Sequence, residues 1–167
     1  ATIWESVFNA TISSKPMTLV NHYTNGLEVF LQDDSNKIFL IANTGKILWE
    51  KQLTEKIMGE IKQIDCYNNK KLQMLFNTAS HLYLIDRNGE NVPGFPVKLP
   101  SSATTELTLI DYDNDRNYRI FIPCADKNIY NFDKRGKIVT GWEFGKTEEI
   151  MTIPLTYFSL ATKDYLC

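Results

Sequence analysis

The sequence has few of the residues that carry chemistry. It holds two histidines and three cysteines, Cys66, Cys124 and Cys167. The cysteines are odd in number and widely spaced, which fits neither a disulfide framework nor a zinc site. One disulfide between two of them remains an alternative. There is no G-x-S-x-G elbow, phosphate-cradling glycine loop or His-Glu-x-x-His motif. The sequence therefore predicts no catalytic residues, no bound organic cofactor and no enzyme in this chain.

Basic charge and long apolar runs are also missing. The formal net charge is −2 and the isoelectric point about 5.7. Without a basic excess, binding to nucleic-acid phosphates is not expected. No apolar run approaches the roughly 20 residues that a transmembrane helix requires, so we predict no membrane insertion of this segment. No stretch keeps a helical period either.

What the sequence has instead is a repeat. Three alternating strands end in glycine turns at Gly45, Gly89 and Gly136, spaced by 44 and 47 residues. An aromatic residue follows each turn, and an earlier one completes the series: Trp4, Trp49, Phe95 and Trp142, spaced by 45, 46 and 47 residues. An apolar strand residue recurs in phase at Leu19, Ile64, Ile110 and Phe158. We interpret the aromatic residues as wedges between neighbouring units, because a ligand platform need not recur once per unit.

The period predicts an all-β fold of antiparallel β-propeller blades. The units span about 17–60, 61–106 and 107–152, with 1–16 and 153–167 as parts of flanking blades. This makes about three complete four-stranded blades in a single domain. A ring usually has about 4 to 8 blades, so we expect part of a larger propeller. A closed four-bladed ring completed by residues 2–8 is the alternative.

One dense acidic cluster could hold a cation. Asp111, Asp113 and Asp115 alternate along the chain, and Ca²⁺ takes oxygen ligands of this kind. The cluster lacks the glycine and the bidentate glutamate of an EF-type loop, and Arg116 interrupts it. A solvated turn between strands is the other interpretation.

The run from Phe39 to Trp49, with its aliphatic-Ala-x-Thr-Gly-Lys-x-x-Trp pattern, resembles the repeat of pyrroloquinoline-quinone-like propellers. The run from Asp86 to Pro96 resembles a variant found in secreted bacterial propellers, and Asp111 to Asp115 is similar to the acidic turn of FG-GAP-type repeats. This resemblance implies a bacterial, extracytoplasmic protein of the non-catalytic type, in the periplasm or at the cell surface.

These observations together predict a non-enzymatic interaction or scaffold module of an envelope or secreted protein, with a protein partner at the loops. Exposed end strands also favour edge-mediated dimers. Two alternatives stay open: part of a quinoprotein or hydrolase whose site is completed by further blades, and a Ca²⁺-stabilised adhesion module using Asp111, Asp113 and Asp115.

Overall fold

The computed structural model describes residues 3–160 and 163–167, which form antiparallel β-strands and no helix. None of the described residues belongs to a helix that could cross a membrane. The strands are β1 (Met17–Val20), β2 (Leu27–Gln32), β3 (Lys37–Ile41), β4 (Ile47–Gln52), β5 (Met58–Ile64), β6 (Gln73–Asn77), β7 (His81–Ile85), β8 (Val97–Lys98), β9 (Thr108–Ile110), β10 (Arg119–Pro123), β11 (Ile129–Asp133), β12 (Tyr157–Leu160) and β13 (Lys163–Leu166).

Each sheet is a meander in chain order. The first unit is β1–β4, the second unit is β5–β8, the third unit is β9–β11, and β12 and β13 form a last hairpin. Every pairing is antiparallel, and no sheet of the described residues closes on itself. The all-β antiparallel prediction is therefore confirmed.

The units stack face to face because their central strands are apolar on both faces. Along β7, Tyr83 and Ile85 pack against the first unit, whereas Leu82 and Leu84 pack against the third. Successive strand residues point to opposite faces, so this continuous apolar run fills two cores at once. Its flanking strand β6 is buried along its whole length for the same reason.

The outer faces of the stack are covered differently. Phe8 and Ile12 lie over the far face of the first unit. At the other end Leu155, which precedes the last hairpin, and Tyr157 and Leu166 within it pack on the third unit. The opposite face of that hairpin is apolar and open, with Phe158 44% and Leu160 65% exposed.

The structure differs from the strand pattern expected at three places. The third unit has three strands instead of four, since the chain after β11 makes only an isolated bridge at Ile138. Trp142 there turns back onto Phe121 of its own unit, with ring centroids 5.0 Å apart. Ile3 and Trp4 form no strand, although the repeat predicts segment 1–16 as part of a flanking blade, and Thr2 and Thr162 of the two flanking segments lie outside the described residues. The expected boundary near residue 60 falls inside β5.

Candidate functional site

Each unit is joined to the next by one repeated contact between an aromatic ring and a glycine turn. A Cβ atom added to Gly45, Gly89 or Gly136 would lie about 3 Å or less from a side chain of the preceding unit or segment. The aromatic residue met is Trp4 at Gly45, Trp49 at Gly89 and Phe95 at Gly136. The structure thus brings three of the four aromatic repeat anchors onto the three glycine anchors, whereas Trp142 packs on Phe121 of its own unit.

The first junction, between the first and second units, is closed by an ion pair. Glu28, only 4% exposed, accepts from Arg87 Nε at 3.1 Å and from a second guanidinium nitrogen. Asn21 Nδ2 donates to the same carboxylate at 2.9 Å. Trp49 Nε1 donates to the Arg87 carbonyl at 2.7 Å, which fixes the arginine turn under the indole. The charges that meet at this junction neutralise each other inside the protein.

The second junction, between the second and third units, is crossed by an ion pair at a different place, Asp65 with Arg116 at 3.0 Å, and has none at the position equivalent to Glu28 and Arg87. Val29 pairs with Ile41 and Met74 with Ile85, so the preceding residues Glu28 and Gln73 occupy equivalent positions. Gln73 is 3% exposed and is satisfied locally, because it accepts from Cys66 N and donates to the Lys71 carbonyl. A neutral amide thus stands where the first junction has its carboxylate.

An open cavity of about 660 Å³ lies at this second junction, and we call it the junction groove. Three loops line it: the β5–β6 turn, the β7–β8 connection and the turn after β11. The lining residues are Cys66, Tyr67, Asn68, Val92, Pro93, Gly94, Phe95, Lys134, Arg135 and Lys137. At the first junction the two cavities that Glu28 and Arg87 line are smaller, about 220 and 10 Å³.

The turn after β11 brings three cations to the groove. Lys134 is equivalent to Arg87, since each stands two residues before its glycine. Its Nζ donates to the Arg116 carbonyl at 3.0 Å and not to a carboxylate. Among the ion pairs of residues 3–160 and 163–167, none involves Lys134, Arg135 or Lys137.

The carboxylates beside the groove already have partners. Asp133 accepts from the backbone N–H groups of Arg135 and Lys137 at 2.8 and 2.9 Å. Asp65 accepts from two backbone N–H groups of its own turn and pairs with Arg116 at 3.0 Å. The groove therefore presents positive charge on a protein whose net charge is negative.

Cys66 is the only thiol in the groove lining, and it is poorly placed to react. Burial raises its pKa, and the nearby positive charges of Lys134 and Arg135 oppose that shift without cancelling it. The thiol donates to the Lys134 carbonyl at 3.3 Å. All three cysteines are free, with Cys66 and Cys124 buried and Cys167 exposed.

The acidic cluster forms a turn in this structure. Asp111 accepts from the backbone N–H groups of Asp115 and Arg116 at 3.1 Å. Asp115 is turned towards Asn117, whose backbone and side-chain nitrogens donate to it at 2.8 and 2.6 Å, and these bonds lower its pKa. Within the described part of the chain, no group of three or more His, Cys, Asp or Glu side chains could hold a metal ion. The structure thus does not gather Asp111, Asp113 and Asp115 as a Ca²⁺ site requires.

Sequence reasoning missed the junction groove. The sequence does contain one indication of the groove, a reversal of charge between equivalent positions: Glu90 follows Gly89, whereas Lys137 follows Gly136. The loss of the carboxylate at Gln73 becomes visible only when the strand registers are known.

Comparison with known proteins gives a likeness of fold alone. No protein-family model matches the chain. No curated protein matches it either. Twelve solved chains do match. One of them comes from a crystal structure of BBS1N in complex with ARL6DN, soaked with lead, with a TM-score of 0.64 and 14% identity over 95% of this chain. The chain spans about half, 52%, of that solved chain, whose fold is β-propeller-like.

The resemblance to pyrroloquinoline-quinone-like and FG-GAP-like bacterial repeats is wrong. No family model supports it, the matching solved fold is that of BBS1N, and the sheets here are open. The Gly-x-x-x-Trp spacing that suggested it serves a packing need, because only glycine leaves room for the ring of the preceding unit. The extracytoplasmic location depended on that resemblance and stays a prediction.

Proposed function

We propose that this protein is a non-enzymatic interaction module that docks a protein partner in the junction groove. The observation that carries the proposal is the contrast between two equivalent junctions. One is closed by Glu28 and Arg87, whereas the other is open and loop-lined: its ion pair, Asp65 with Arg116, lies beside the groove and leaves Lys134, Arg135 and Lys137 without a carboxylate partner. Loops held by a rigid β-scaffold are the usual place for recognition. The structurally similar BBS1N was crystallised in complex with a second protein, which agrees with this role.

A photo-crosslinking residue at the groove tests the proposal. Benzoylphenylalanine would replace Tyr67, which lines the groove and is 54% exposed. The matched control is Tyr23, an exposed tyrosine of the first unit's β1–β2 turn, which is 66% exposed. In the source cell we expect one defined protein cross-linked from position 67 and absent from position 23. Equal or absent cross-linking at the two positions would overturn the proposal.

We also propose that the three units are propeller blades and that a further β unit packs on the last hairpin. Leu19, Ile64 and Ile110 are each at most 4% exposed, and each belongs to a core shared with the following unit or hairpin. Phe158 holds the next place in that series and is 44% exposed. Trp142 likewise meets no glycine turn of a following unit among the described residues, unlike Trp49.

The size of the native polypeptide tests this second proposal. An immunoblot of the source cell showing a mass well above 19.3 kDa would support a further unit in the same polypeptide. If the mass is near 19.3 kDa, sedimentation velocity then decides. A dimer lost on Phe158→Ser would mean that a second copy covers this face, and a stable monomer would overturn the proposal.

A further inference from the structure

The two junctions differ in charge at three equivalent positions. Glu28 corresponds to Gln73, the neutral Asn88 to Arg135, and Glu90 to Lys137. Each substitution makes the second junction more positive than the first. We propose that the junction groove binds an acidic peptide segment that carries an apolar side chain beside its carboxylates. This inference rests on the proposed function, since it names the chemistry of the partner in the same groove.

The cations are available because the protein does not neutralise them. Lys134 replaces Arg87 at the inner edge of the groove, and its Nζ donates to the Arg116 carbonyl at 3.0 Å and to Asn68 Oδ1 at 3.5 Å instead of to a carboxylate. Arg135 and Lys137 are exposed and project from the same turn. Carboxylates brought by a partner would complete at this junction the pairing that Glu28 supplies at the first. Charge complementarity of this kind gives both specificity and rapid association.

The opposite wall of the groove is apolar. Val92 and Phe95 are buried at its base, at 6% and 8% exposure, and Pro93 and Tyr67 are exposed at its rim. Pro93 and Gly94 belong to a connection two residues longer than its counterpart between Gly45 and Trp49, which extends this wall. A ligand that is only anionic would leave the wall uncovered, whereas an aliphatic side chain would bury it.

A peptide fits the surroundings better than a nucleic acid. The whole protein carries a net charge of −2, and the cations that line the groove all come from one turn. Nucleic acids bind through extended rows of cations that contact successive phosphates. A short acidic segment needs only the local cluster.

Fluorescence anisotropy with synthetic probes tests the inference on the intact chain. The probe is a fluorescein-labelled peptide of repeated Glu-Glu-Leu triplets, compared with Gln-Gln-Leu and Glu-Glu-Ser peptides of equal length. We expect the first to bind best, with an affinity that falls as salt is added. The double variant Lys134→Gln, Lys137→Gln should weaken binding about tenfold, which equals about 1.4 kcal/mol. The control Lys46→Gln changes the residue equivalent to Lys137 in the first unit and should leave binding unchanged.

The outcomes separate this inference from the proposed function. Equal binding of the Gln-Gln-Leu peptide, or loss of binding by Lys46→Gln alone, overturns the acidic partner. Tighter binding of a single-stranded oligonucleotide with the same dependence on Lys134 overturns the peptide. If none of the probes binds, the inference falls, whereas the proposed function stands or falls with the specific cross-link from position 67.

Discussion

The indole of Trp49 lies directly over the α-carbon of Gly89 in the next unit. A Cβ added at Gly89 would stand 2.9 Å from Trp49 Cδ2, closer than real Cβ contacts come. The same indole donates from Nε1 to the Arg87 carbonyl at 2.7 Å, in the turn that Gly89 closes. One aromatic side chain therefore ties two sheets together by packing and by a hydrogen bond.

Truncating this wedge should be costly. Trp49→Ala should lower the free energy of unfolding by about 3–5 kcal/mol, the usual range for large aromatic residues in cores. Leu48→Ala is the matched control, because Leu48 is the neighbouring residue of β4, points to the other face and is 36% exposed. Leu48→Ala should lower the free energy of unfolding by well under half as much as Trp49→Ala. Urea denaturation followed by circular dichroism measures both, and equal losses would mean that Trp49 is not a wedge.

Replacing Gly89 by alanine should destabilise the protein more than the same replacement at a glycine of similar backbone conformation elsewhere. Gly89 has φ of 85° and Gly141 has φ of 81°, so alanine meets similar left-handed strain at both, about 1–2 kcal/mol. No side chain approaches a Cβ at Gly141, whereas Trp49 blocks one at Gly89. Overpacking should therefore add about 1–3 kcal/mol at Gly89. If both variants keep the same dependence of unfolding free energy on urea concentration, the difference between the urea midpoints of Gly89→Ala and Gly141→Ala reports the contact with Trp49 alone.

These contacts explain which parts of the fold could be predicted from the sequence. The glycine and aromatic anchors recur because each junction needs the same ring over the same turn, and such repetition is visible in the sequence. The missing fourth strand of the third unit was not visible. Trp142 shares with Trp49 the glutamate that follows it and the contact with a phenylalanine of its own unit, yet it donates to the Ile129 carbonyl of that unit at 2.9 Å and not to a following turn. The groove depends on the register that aligns Gln73 with Glu28, which no local pattern reveals.

The buried ion pair at the first junction should show strong coupling between its two members. Arg87→Met leaves the carboxylate of Glu28 buried without its cation and should cost about 3 kcal/mol, the lower end for broken buried pairs, because Arg87 is partly exposed. Adding Glu28→Gln removes the stranded charge and should restore a large part of that loss. A double-mutant cycle by urea denaturation gives the coupling. Additive losses would show that the pair does not close the junction as described.

The acidic turn should depend on Asp111 and not on calcium. Asp111→Ala removes the acceptor of two backbone N–H groups and should cost about 1 kcal/mol. Asp113→Ala is the control and should be nearly neutral, since no described residue donates to its carboxylate. A calcium chelator should leave the melting temperature of the protein unchanged. A chelator-induced drop that Asp113→Ala abolishes would restore the calcium interpretation.

Alkaline pH should destabilise the protein through Cys124. Burial is the main cause that raises the pKa of this thiol from 9.0 to about 12, with a smaller contribution from the charge of Asp126. Between these two values the unfolded chain releases the thiol proton while the folded chain keeps it. The unfolded state then binds fewer protons, so the free energy of unfolding falls as pH rises above 9, by at most about 1.4 kcal/mol per pH unit for one group. Cys124→Ala lowers the free energy of unfolding at every pH because it leaves a cavity. It also removes the contribution of this thiol to the fall of that free energy with pH. The urea midpoints of the unsubstituted protein and of Cys124→Ala, measured at a series of pH values, should therefore converge as pH rises. If the two midpoints instead stay a constant distance apart, Cys124 ionises as readily in the folded protein as in the unfolded chain.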